Sequence, residues 1–212
     1  MMRKKHLQLP IIAICITMFS CSQGDSFILN ETFDKNTRGW IEESSEHHGI
    51  LIDGGKYLIE SKDTSSGIYR SSAGSLDKSY LFALPDKYDI ESKFLLLNHD
   101  LDDAFYGLLL RGAMCEYSFN FYDSGVVEVL EYNSNSHTEY ILFSDTSDYK
   151  FENDIQVKIS VDNGYFSLFI EDFEIGHSEF NVKSWRDLRL FTSKQSKISV
   201  DYLTIKKTKQ NE

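Results

Sequence analysis

The sequence predicts an all-β fold, a two-sheet antiparallel sandwich, and three observations carry that reading. The first is composition. Aromatics make up 14% of the 212 residues, whereas alanine occurs five times, a balance that favours strands over helices. The second is texture: from Phe27 to about Lys206, short alternating segments are separated by Gly, Asp, Asn and Ser, and no amphipathic helical period interrupts them. The third is a pair of hairpins whose register can be read directly. Ile155, Val157, Ile159 and Val161 alternate with polar residues up to Asn163-Gly164, the dipeptide preferred for a two-residue type I′ turn. That turn sets Val161 opposite Phe166, Ile159 opposite Leu168 and Val157 opposite Ile170, every pair apolar. The second hairpin runs through Cys115–Tyr122, turns at Asp123-Ser124-Gly125 and returns through Val126–Tyr132. A three-residue loop ending in Gly suits a G1 bulge. It pairs Phe121 with Val127 and Phe119 with Val129 on one face, and places Glu116, Ser118, Asn120 and Tyr122 on the other.

The remaining strands are expected at Phe27–Phe33, Gly49–Ile52, Lys56–Ser61, Gly67–Arg70, Tyr80–Ala83, Tyr88–Leu97, Ala104–Arg111, Glu139–Phe143, Asp187–Phe191 and Lys197–Lys206. A dozen or more short strands need two packed layers to bury their apolar faces. The chain is expected to divide into residues 1–20, a leader; 21–25, a short tether; 26–206, the sandwich; and 207–212, a polar tail.

The leader begins Met1-Met2-Arg3-Lys4-Lys5 and continues through a mostly apolar run, Leu7 to Phe19. Such a run has signal-peptide length and is too short to span a bilayer. Met18-Phe19-Ser20-Cys21 resembles the lipobox of bacterial lipoproteins, in the relaxed form found in Bacteroidetes-type bacteria; an ordinary secretory signal is the alternative. The resemblance implies cleavage before Cys21, acylation of that residue and a cell-envelope protein held at a membrane, expected to be the outer one, by its lipid. Several acyl chains anchor where one binds marginally. Without residues 1–20 the balance is 19 basic against 33 acidic residues, or −14, against −11 for the whole chain. That charge disfavours nucleic acid, which is bound through a basic face. Cys115 is then the only cysteine besides Cys21, so no internal disulfide forms, and it is expected as a buried apolar side chain.

Glu31-Thr32-Phe33-Asp34…Gly39-Trp40, Gly55-Lys56-Tyr57-Leu58-Ile59, Phe105-Tyr106-Gly107-Leu108-Leu109-Leu110-Arg111, Tyr117-Ser118-Phe119-Asn120-Phe121 and Ser199-Val200-Asp201-Tyr202-Leu203-Thr204-Ile205 resemble the concanavalin A-like, or laminin-G-like, jelly rolls of secreted bacterial proteins. The resemblance covers nearly the whole chain after the leader, and it is specific for fold, not activity. Many such domains are glycosidases, with acidic residues at alternating positions of one strand. Here the nearest candidates, Glu128 and Glu131, are three apart and must point to opposite faces. They cannot flank one glycosidic bond at the roughly 5–9.5 Å such catalysis needs. Keto-disaccharide hydrolase-like jelly rolls share a Gly…Arg strand like Gly107…Arg111, but their preceding Asn-Ser-Gly is replaced by Asp102-Asp103-Ala104.

No catalytic residue is therefore assigned. Asn120, Tyr122, Glu128 and Tyr132 form the candidate carbohydrate-binding strip, because a Tyr ring offers an apolar plate with a hydroxyl at its edge. Asp34 and Asp201, where the chain ends are expected to meet, could supply oxygen ligands to a structural calcium, which related jelly rolls often hold; Asp100, Asp102 and Asp103 form a second acidic cluster. The histidines lack metal-ligand spacing. The expected partner is a neutral oligosaccharide or polysaccharide, bound weakly. A divergent glycoside hydrolase, or an adhesive envelope protein that binds another protein, are the alternatives.

Overall fold

A computed structural model of the chain describes residues 26–62, 72–75, 84–100, 103–146, 154–180 and 185–208, with only the backbone described at 72–75. Fifteen strands are present among them: β1 (Phe27–Glu31), β2 (Glu43–Ser44), β3 (His48–Asp53), β4 (Lys56–Ser61), β5 (Ser72–Ser75), β6 (Lys87–His99), β7 (Phe105–Arg111), β8 (Cys115–Tyr122), β9 (Val126–Asn133), β10 (Thr138–Thr146), β11 (Ile155–Asp162), β12 (Tyr165–Ile170), β13 (Phe173–Glu179), β14 (Asp187–Thr192) and β15 (Ser196–Lys207). The described residues contain no helix. The expected strands Gly67–Arg70 and Tyr80–Ala83, the leader, Cys21 and Asp102 lie outside the described residues.

The strands form two antiparallel sheets, a jelly-roll sandwich. The larger runs β13-β12-β11-β6-β15-β4-β3-β2, and β1 also pairs with β15; the smaller runs β10-β9-β8-β7-β14-β5. The long β15 organises the larger sheet. One of its edges pairs with β6 along most of its length, and the other pairs first with β4 and then with β1. A register shift between Val200 and Tyr202 adds a residue to β15. It lets Val200 and Leu203, which are three apart, both face the core.

Both predicted hairpins are present in the predicted register. Val157 faces Ile170, Ile159 faces Leu168 and Val161 faces Phe166, across a turn in which Asn163 and Gly164 have φ of 49° and 87°. Phe119 faces Val129 and Phe121 faces Val127, and Gly125 closes that loop at φ 90°. The alternating apolar set of each strand enters one continuous core. Near the start of the sandwich, Phe33, Trp40 and Tyr57 pack as a ring triangle with centroids 5.2–5.3 Å apart. Glu31 fastens this corner: its carboxylate accepts the Phe33 N–H at 2.9 Å and the Trp40 indole N–H at 3.0 Å.

Candidate functional site

In a strand successive side chains alternate between faces. Because Tyr117, Phe119, Phe121, Val127 and Val129 enter the core, Glu116, Ser118, Asn120 and Tyr122 of β8 and Glu128, Leu130 and Tyr132 of β9 lie on the outward face of the smaller sheet. Cross-strand register arranges that face in rows. Asp187, Arg111, Glu116, Tyr132 and Glu139 form one row across β14, β7, β8, β9 and β10; Phe191, Gly107, Asn120, Glu128 and Ser144 form another.

The four residues of the predicted strip are thus on one face, and Asn120 and Glu128 are direct partners, but they sit at different depths. Asn120 is 2% exposed, and its amide oxygen accepts the Ser118 hydroxyl at 2.5 Å. It supports the face from beneath. Tyr122 is half-buried; its ring packs against Phe105 at 5.1 Å and its hydroxyl donates to Glu128 at 2.7 Å. Tyr132, also half-buried, pairs its hydroxyl with His137 Nδ1 at 3.0 Å. Phe105, Leu109 and Phe191 form a small apolar cluster on this outward side, with Tyr122 against it.

Two guanidinium–carboxylate pairs complete the open end of the face. Arg111 donates through Nε at 2.8 Å and Nη2 at 2.6 Å to Glu116 Oε2. Arg189 does the same to Asp187 Oδ2 at 2.6 and 2.5 Å. The carboxylate side chains are 13% and 6% exposed, the arginines 46% and 34%. Each pair shows solvent a planar donor array whose charge is balanced from below. In the sequence Arg111, Asp187 and Arg189 stand out only as members of the expected strands 104–111 and 187–191, with no site role. The signal was the alternation in Asp187-Leu188-Arg189, but only tertiary pairing brings it beside Arg111.

Gly107, shared with the keto-disaccharide hydrolase-like pattern, has a packing explanation. A Cβ there would overlap the carbonyl oxygen of Phe119 and lie 3.3 Å from the Phe191 ring. Glu128 and Glu131 lie on opposite faces, as their spacing requires: Glu128 pairs with outward-facing Asn120, and Glu131 with core-facing Tyr117.

The chain ends do meet, β1 lying antiparallel to the last residues of β15. Asp201 is bridged by the Lys56 ammonium at 2.9 Å, and Asp34 accepts the Thr32 hydroxyl at 2.7 Å. A resident cation needs six to eight oxygens around it. An ammonium already balancing Asp201 does not fit that requirement, and no group of three or more His, Cys, Asp or Glu could hold a metal among the described residues. His47, His48, His99 and His177 each lie against a different acidic residue. Cys115 is half-buried against the core, not fully buried, and burial, with Glu131 beside it, pushes its thiol pKa up.

No family model matches this chain, and no curated protein matches it. Solved structures do share its fold. SCLam, a non-specific endo-β-1,3(4)-glucanase from family GH16, superposes with a TM-score of 0.64 at 10% identity, covering 87% of this chain and 91% of that one. The Bacillus licheniformis β-glucanase gives 0.64 at 7% identity, covering 88% and 100%. The CBM2 module of the evolved Dit of Lactobacillus casei BL23 phage J-1 gives 0.61 at 9% identity, covering 88% and 98%. These likenesses establish the concanavalin A-like jelly-roll fold.

Proposed function

We propose that this chain is a cell-envelope lipoprotein, anchored through Cys21, whose sandwich binds a neutral oligosaccharide on the outward face of the smaller sheet without cleaving it. One observation carries the reading. Three carboxylates of that face are committed to neighbours: Glu116 to Arg111, Asp187 to Arg189, Glu128 to the Tyr122 hydroxyl. None of these three is left free to face a glycosidic bond together with a second carboxylate, as hydrolysis demands. What the face offers is tyrosine rings, guanidinium planes whose charge is matched by carboxylates, and hydrogen-bonding edges, a surface suited to sugar hydroxyls. The charge of −14 calculated without the leader repels anionic glycans.

The glucanase neighbours support a glycan ligand and indicate the first one to try. A mutant of SCLam co-crystallised with 1,3-β-D-cellobiosyl-cellobiose presents a 1,3-β-D-cellobiosyl-glucose at its active site. The same neighbours are the argument for the second reading, a divergent glycoside hydrolase. Incubation with β-1,3(4)-glucan separates the two: binding without new reducing ends supports the proposal, and their release selects the hydrolase. The anchor has its own test. Cys21→Ala is expected to abolish fatty-acid labelling, and undiminished labelling would refute it.

A further inference from the structure

A recess of about 270 Å³ opens on the larger sheet, where the ends of β4 and β6 flank the start of β15. Its rim carries Glu60, Lys62, Asn98, Asp100, Gln195 and Lys197, above Ser61 and Ser196. Register builds it: Ser196 pairs with Ser61 and His99, and Lys197 pairs with Glu60 and Asn98. We propose that this recess is a second binding site, one that takes a single neutral, hydroxyl-rich unit such as a monosaccharide.

Its chemistry selects that class. Every lining side chain is polar, unlike the mostly apolar pockets that bind apolar ligands. Two carboxylates, Glu60 and Asp100, balance two ammoniums, Lys62 and Lys197, which favours a neutral occupant over an ion. No aromatic plate is present, so recognition falls to the donors and acceptors of amides and charged heads. The recess is open to solvent on one side, and its volume of about 270 Å³ has room for one sugar ring.

The floor is built in advance. The Ser196 hydroxyl donates to the Ser193 carbonyl at 2.7 Å and meets Thr192 Oγ1 at 2.6 Å and Ser193 Oγ at 3.1 Å. The Asp100 N–H donates to the Gln195 carbonyl at 3.0 Å. Gln195 itself sits at φ 49°, a left-handed conformation in which glycine would be less strained. The turn keeps an amide side chain at the recess in spite of that strain.

The test follows from the strained residue. Gln195→Gly suits the turn, so the fold is kept while the amide is removed. Side-chain amide resonances of Asn98 and Gln195 are followed in the labelled full chain as D-glucose, glycerol, sulfate or spermidine is added. Glucose is expected to give saturable shifts, at lower concentration than glycerol. The Asn98 response should weaken roughly two- to tenfold in Gln195→Gly, the range of one hydrogen bond, and persist in Arg111→Ala, whose change lies on the other sheet. Shifts that never saturate, an equal response to glycerol, an unchanged affinity in Gln195→Gly, or capture of sulfate or spermidine instead would each overturn the proposal.

Discussion

Replacing Glu31 with alanine removes the acceptor that holds the turn from β1 towards Trp40. Glu31 is 4% exposed, and its two oxygens accept the Phe33 amide and the Trp40 indole N–H. Arg38 Nε lies 3.7 Å away. Phe33 is a non-glycine residue at φ 54°, so its conformation depends on that tether. Alanine leaves two buried donors without partners, at about 1–3 kcal/mol each. Relief of the carboxylate's own burial cost offsets part of this. The net expected loss is about 2–5 kcal/mol, or roughly 5–15 °C in Tm for a domain of this size. Urea unfolding followed by tryptophan fluorescence measures it, since Trp40 is one of two tryptophans in the chain. Glu31→Gln keeps one acceptor and should fall between wild type and alanine. A Glu31→Ala loss within about 0.5 kcal/mol, the range of an ordinary surface change, would refute the reasoning.

Gly107→Ala is expected to abolish soluble folding or cost more than about 3 kcal/mol, because the added methyl meets the backbone of β8 and a fully buried Phe191; a wild-type urea midpoint would contradict this. Alkaline titration should find three phenols silent while the fold persists: burial pushes the pKa of Tyr57, Tyr88 and Tyr106 well above the ordinary tyrosine value. The folded state therefore favours the neutral form. Stability is full below about pH 10, where unfolded phenols start to ionise, and falls as pH rises further; phenolate absorbance appearing in step with unfolding is the expected signature.

Legibility in the sequence followed locality. The Asn163-Gly164 hairpin could be read because turn chemistry and alternation agree within sixteen residues. The next hairpin was missed although its turn is as tight. Glu171 and Asp172 both adopt positive φ, at 50° and 68°, but neither residue announces it. The returning β13 is largely exposed and carries a register shift opposite Leu168 and Phe169, which erases the alternation. β2 has two residues, too few for a period. At the candidate site, parity assigned Asn120, Tyr122, Glu128 and Tyr132 to one face, but parity carries no information about depth. Asn120 lies in the row of Gly107 and Phe191 and is buried there. The arginine pairs were hidden for another reason. Asp187 comes beside Arg111 only through pairing of β14 with β7, strands far apart in the chain.

The most direct test of the glycan-binding face is titration of wild type and a Tyr122→Phe/Tyr132→Ala variant with a neutral β-1,3(4)-glucan oligosaccharide by isothermal calorimetry. Phenylalanine keeps the ring packed on Phe105 and loses only the hydroxyl bonded to Glu128, so the variant should remain folded. Contacts on an open face net about 0.5–1.5 kcal/mol each. Wild type should therefore bind between about micromolar and millimolar Kd, and the variant about tenfold or more weaker with its Tm nearly unchanged. A folded variant that binds as tightly as wild type, or a wild type that binds no neutral glycan, would contradict the account.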